Sequence, residues 1–120
     1  MFVLQTASNI NTNKTVATMA TPVSSKTIIV DAGHGGEDGG AVSCNGVSEA
    51  EINLNIALKL QQLLEQSGSN VVLTRSDNNA IYDVDKKTLR EKKNSDIRNR
   101  VRIGNNSSAD IFVSIHLNKI

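Results

Sequence analysis

Hydrophobic positions change character at residue 26. Residues 1–25 are rich in Thr, Asn, Ser and Ala and hold no sustained apolar period, with Pro22 near their end. That pattern predicts a flexible leader or linker. Its short apolar start, Phe2 to Leu4, has no basic residues ahead of it and is too short for a signal-peptide core. From Lys26 onward the chain reads as folded. Thr27 to Val30 is a β-branched run suited to a buried strand. Asp31 to Gly40 carries five glycines and predicts a loop. Ser48 and Glu51 match a capping box, and Ile52, Ile56, Leu60 and Leu64 recur every four residues behind it, predicting a helix that Gly68 ends. Asn70 to Arg75 predicts a second strand. Residues 76–94 read as a polar excursion, and a second helix is expected from about Asp96 to Asn105. Asp110 to His116 predicts a third strand, apolar enough to be central.

Strands alternating with helices at this spacing imply right-handed crossovers and a parallel α/β sheet. A central third strand would need neighbours on both sides, so the chain reads as incomplete at its C-terminal end. A length of 120 residues suits one domain. Aromatics make up only 2%, so the core must come from Ile, Val, Leu and Ala. No apolar stretch of about 18 residues exists to span a membrane.

The net charge of +1 gives no global reason to expect nucleic acid. Eight of the 13 basic residues lie between Lys86 and Arg102, mixed with Asp85, Glu91 and Asp96. They read as a solvated face, with a rim for an anionic polymer as the alternative. The lone Cys44 cannot form an internal disulfide, and no defined geometry pairs it with a histidine as a nucleophile. The glycine loop fits neither G-x-G-x-x-G nor a P-loop, and Glu37 and Asp38 would repel phosphate, so no nucleotide is expected.

Only two histidines occur, His34 just past the first strand and His116 at the end of the third. In a parallel sheet those ends share the edge where ligands bind. Glu49 opens the first helix, and the glycine loop can bring it back over that edge. Glu51 has work as a helix cap, which leaves Glu49 free to point outward. Two imidazoles and one carboxylate can hold Zn²⁺ with a fourth position open for water. Each residue also has a plain structural role, as a hydrogen-bonding histidine or a helix-dipole partner, and spacing alone leaves both open.

Four ordered motifs carry a resemblance. Asp31-Ala32-Gly33-His34-Gly35-Gly36, Glu49 to Leu54, Thr74-Arg75, and Arg100 to Asn105 followed by Ala109 to Asn118 together resemble the zinc-dependent N-acetylmuramoyl-L-alanine amidases, amidase type 3. The basic insert and the Ser114-Ile115-His116-Leu117-Asn118 ending are similar to the germination-specific, spore-cortex branch. The resemblance implies an α/β three-layer sandwich. Residues 26–120 would be the N-terminal portion of its catalytic domain, with about three strands and two or more helices. It implies Zn²⁺ on His34, Glu49 and His116, and hydrolysis of the amide between N-acetylmuramic acid and L-alanine in peptidoglycan. It implies export, to the cell wall or the forespore intermembrane space. The family's general-base glutamate would lie beyond Ile120, so no catalytic base is expected here and the chain alone would be nearly inactive. Substrate-binding residues and an activator protein stay unassigned. The alternative is a non-catalytic wall-binding module that keeps the fold.

Overall fold

A computed structural model describes residues 21–118. Three parallel strands form one sheet: β1 (Thr27–Ala32), β2 (Asn70–Leu73) and β3 (Ile111–Ile115), in the order β2-β1-β3. Helix α1 (Glu49–Gln66) joins β1 to β2, and helix α2 (Leu89–Asn106) precedes β3. The α/β architecture expected from the spacing is present.

The centre of the sheet is β1, whereas the sequence pattern pointed to the third strand. Ile28, Ile29 and Val30 are at most 2% exposed, while Ile111 and Phe112 of β3 are nearly half exposed. Local apolarity alone does not rank strands by burial, because order is set by what packs on each face. In β1, Ile28, Val30 and Ala32 face α1, where Ala57, Leu60 and Leu64 meet them with Val71, Leu73, Val113 and Ile115. Full burial of Ile28 or Val30 stabilises the fold by about 1.5–3 kcal/mol each, and the partly buried aliphatics of that layer add less. On the opposite face lie Ile29 and Asp31. Helix α2 approaches there through Gly104, whose Cα lies where an added methyl would meet the Phe112 ring at 3.4 Å. One helix on each side of the sheet makes three layers.

Helix ends explain the remaining differences. Helix α2 begins at Leu89, seven residues before the expected start at Asp96, because Thr88 and Glu91 form a full capping box. Glu91 N donates to Thr88 Oγ1 at 3.2 Å and Thr88 N to Glu91 Oε2 at 2.9 Å. At α1 only the forward half of the expected box forms, Glu51 N to Ser48 Oγ at 3.3 Å. The C-terminus of α1 is a Schellman motif: Gly68 N donates to the Glu65 carbonyl and Ser69 N to that of Leu64, both at 3.0 Å, with Gly68 at φ +86°.

Residues 21–25 belong to this folded unit, although composition grouped them with the leader. Val23 packs on the core, Thr21 Oγ1 donates to the Ser67 carbonyl and Ser25 N to that of Gly68. Residues 1–20, the rest of the expected leader, lie outside the described residues. Among the described residues no helix is long and apolar enough to cross a membrane.

The left-handed turn at Gly68 gives a direct test of this packing. Gly68→Ala should lower stability by about 1 kcal/mol or more, because alanine resists positive φ. Its added methyl would also come within 3.0 Å of Ser24 Oγ. Urea unfolding with an unchanged slope and a lower midpoint is the expected result.

Candidate metal centre

The three residues singled out by spacing converge at the carboxyl edge of the sheet. One donor atom from each of His34, Glu49 and His116 lies within 4.8 Å of the other two. His34 sits two positions past β1, and His116 directly follows β3. Glu49 is the first residue of α1. The glycine loop folds back to bring Glu49 there. Glu49 N donates to the Ala41 carbonyl at 2.7 Å, Ala50 N to Gly39 at 3.0 Å, and Asn53 Nδ2 to Gly33 at 3.2 Å.

Two glycines in the loop make room for the donors. A methyl on Gly33 would overlap the His116 ring. One on Gly40 would fall 2.9 Å from His34 Nε2 and 2.8 Å from Glu49 Oε2, and Gly40 itself has φ +66°.

Glu49 is buried, not outward-pointing as its place beside the cap suggested. Its carboxylate is held by the backbone: Ala41 N donates to Oε2 at 3.0 Å and Leu117 N to Oε1 at 2.8 Å. The Ala41 amide, then that of Leu117 and the nearby His34, outweigh burial and lower its pKa to about 2. It is therefore an anion at any ordinary pH. Its Oε1 lies 3.3 Å from His34 Nε2 and 3.4 Å from His116 Nδ1. Four ligands at about 2.0–2.1 Å around tetrahedral zinc stand about 3.3 Å apart, so these separations match two edges of such a tetrahedron. The imidazoles meet edge to face, with centroids 4.9 Å apart. His34 Nδ1 lies 3.1 Å from Asp38 Oδ1, which leaves Nε2 as its free donor. His116 is more open than its partners, with 44% of its side chain exposed. The chemistry and spacing of the set fit one divalent ion. Cys44, by contrast, is exposed on a separate turn with its thiol against Asn45.

Beneath the loop lies a charged layer that the spacing argument did not assign. Asp31 ends the apolar face of β1. It accepts from Thr74 Oγ1 at 2.7 Å, Ser114 Oγ at 2.6 Å and Arg100 Nη1 at 2.7 Å. Arg75 and Arg100 are both buried. A carboxylate ending an otherwise apolar central strand was the available signal, since a buried charge demands a partner.

The sequence profile of the N-acetylmuramoyl-L-alanine amidases matches residues 28–120. This chain belongs to that family. It is 37% identical over 99 residues to the germination-specific N-acetylmuramoyl-L-alanine amidase of Bacillus subtilis, covering 82% of this chain and 41% of the relative. It is 41% identical over 102 residues to the uncharacterized protein YqiI of the same organism, covering 85% and 42%. Among solved structures, the CwlD amidase of Clostridioides difficile, in complex with the GerS lipoprotein, aligns with TM-score 0.76 and 52% identity. That match covers 79% of this chain and 49% of CwlD. The amidase family chain thus spans between two fifths and one half of these relatives.

The charged layer makes a pH prediction. Burial opposes ionisation of Asp31, but the bonds from Ser114, Arg100 and Thr74 prevail and hold its pKa below the ordinary 3.8. A depressed carboxyl stabilises the fold fully above its unfolded pKa, and that contribution is lost as pH falls below it. Metal-free protein should lose stability below about pH 4, and Asp31→Asn should flatten that slope. Equal slopes in urea titrations from pH 5 to pH 2.5 would contradict this account.

Proposed function

We propose that His34, Glu49 and His116 bind Zn²⁺ and that this chain is the metal-binding part of a peptidoglycan amidase. The intact enzyme cleaves the amide between N-acetylmuramic acid and the L-alanine of the stem peptide. The observation that carries the reading is the pair of tetrahedral-edge separations about Glu49 Oε1, 3.3 and 3.4 Å, at the sheet edge where open α/β folds place their ligands. Bound there, zinc would polarise the scissile carbonyl and acidify a water at the fourth position.

The chain's own residues set the stage for that chemistry. Asp38 accepts a hydrogen bond from His34 Nδ1–H and so favours the tautomer whose Nε2 lone pair faces the site. The amides of Ala41 and Leu117 keep Glu49 ionised and aimed inward. The exposed face of His116 leaves one side of the site open to substrate. A general base must lie within hydrogen-bond reach of the proton it takes. Near this site Glu49 serves the metal, Asp31 is locked to Arg100, Asp38 faces His34, and Glu37 pairs with Lys92 at 2.5 Å. The family resemblance implies a general-base glutamate in the part of the relatives' length that this chain does not span.

The likeness to germination-specific and sporulation-specific amidases supports a substrate in spore cortex and a site of action outside the cytoplasmic membrane. The lipoprotein bound to the Clostridioides difficile amidase supports a protein partner here as well.

Zinc content after dialysis should be near one per chain, and His34→Ala, Glu49→Ala or His116→Ala should each abolish stoichiometric binding. Gly40→Ala should weaken it about 10- to 100-fold, because its methyl crowds two donors. Full zinc retention in all four variants would end the assignment. For the reaction, cortex peptidoglycan is incubated with zinc-loaded chain, and newly freed L-alanine amino groups are counted. We expect near-background release from this chain and robust release from a protein that continues through the remaining family length. Release of reducing sugars in place of L-alanine amines would refute the amidase reading.

A further inference from the structure

His34 adopts φ +62°, a left-handed conformation that non-glycine residues enter at a cost of about 1 kcal/mol or more. Such a conformation persists only where neighbours enforce it. Here three successive carbonyls, those of Ala32, Gly33 and His34, turn inward onto two buried guanidinium groups. Arg75 donates Nε to Ala32 O at 2.8 Å and Nη2 to Gly33 O at 3.1 Å and to Ala50 O at 2.7 Å. Arg100 donates Nη1 to Ala32 O at 2.7 Å and Nη2 to His34 O at 2.8 Å. The remaining Arg100 donors are held by carboxylates, Asp31 Oδ1 from Nη1 and Asp96 Oδ2 from Nε, both at 2.7 Å.

We propose that Arg100 is a positioning residue for the metal ligand His34, clamping its backbone carbonyl so that its ring meets Glu49. This inference rests on the metal reading above. Asp38 holds one end of His34, at ring Nδ1, and Arg100 holds the other, at the carbonyl. Arg100 lies on α2, so the clamp ties the metal loop to the helix on the far face of the sheet. A planar fork is required. It must reach Asp31, Asp96 and two carbonyls at fixed angles, which a lysine's single ammonium cannot do. Charge alone would be satisfied by lysine; geometry would not.

The test therefore uses Arg100→Lys, which keeps the charge beside Asp31, together with Arg100→Ala. Ser114→Ala is the control, since it removes one bond from the same Asp31 cluster and none from the loop carbonyls. Zinc and cobalt(II) affinities are measured by competition with a chelator, folded fraction by circular dichroism, and site geometry by the visible bands of the cobalt-saturated protein. We expect Arg100→Lys to bind zinc about 10- to 100-fold more weakly and to shift the cobalt bands, while Ser114→Ala lowers thermal stability and leaves both unchanged. Native affinity and native cobalt bands in Arg100→Lys would overturn the proposal, whatever its melting temperature. Failure of Arg100→Ala to fold leaves the Arg100→Lys comparison decisive. An unsubstituted chain that binds neither ion would overturn the metal reading itself, and this inference with it.

Discussion

The carboxylate of Asp31 sits where the central strand runs out of apolar side chains, and the site above it depends on how that charge is met. An unpaired carboxylate at this depth would cost several kcal/mol. Thr74 brings a hydroxyl from the end of β2, Ser114 one from β3, and Arg100 a guanidinium from α2. One side chain thus fixes the relative placement of three elements. Removing Arg100 from this cluster would cost about 3–5 kcal/mol, because the charge left behind would be uncompensated, whereas a lost hydroxyl costs less. A well-packed apolar substitute could be as stable, so the reason for a charged layer here is geometric. Arg100, drawn in to neutralise Asp31, has donors to spare, and these reach the loop carbonyls beside those of Arg75.

The loop makes use of those donors. A chain that turns its carbonyls inward must satisfy them, since buried unpaired carbonyls are costly. Arg75 and Arg100 do so at Ala32, Gly33 and His34, and the outward-facing side of the same turn then carries the imidazole. Arg75 also holds Ala50, the neighbour of Glu49. His34 and Glu49 of the proposed metal set are therefore anchored through the backbone as well as the side chain. His116 is the exception: its ring is packed over Gly33 but stays half open.

Much of this was legible in the sequence, and the illegible part has a common cause. Three strands, two helices and the convergence of His34, Glu49 and His116 follow from periodicities and from the rule that parallel strands share a ligand edge. Strand ends and the start of α2 were less visible. Leu89 to Asn94 is polar enough to pass for loop, and only the Thr88–Glu91 cap declares it helical. The centrality of β1 was also hidden, because Ile111 to Ile115 is as apolar locally as Thr27 to Ala32. What separates them is the helix layer above each, which no short window records. Arg75 and Arg100 were noted as parts of motifs but given no role, since nothing in a linear pattern says that a basic residue within a charged run turns inward. Asp31 held the clue: its burial required cations from elsewhere in the chain.

The same logic bears on why Glu49, of the available carboxylates, suits a metal. A ligand carboxylate must stay ionised inside a partly dry site, and it must not be satisfied by a protein cation that would compete with the metal. Asp31 meets the first condition and fails the second, for Arg100 is already on it. Asp38 is partly exposed and shares itself between His34 and Lys93. Glu49 is kept anionic chiefly by two backbone amides, neutral dipoles that neither carry charge nor fill the space in front of the oxygens. Among the described residues no lysine or arginine is paired with Glu49, and the two imidazoles that face it are neutral ligands in their unprotonated form. Such a carboxylate suits the divalent cation proposed for this site.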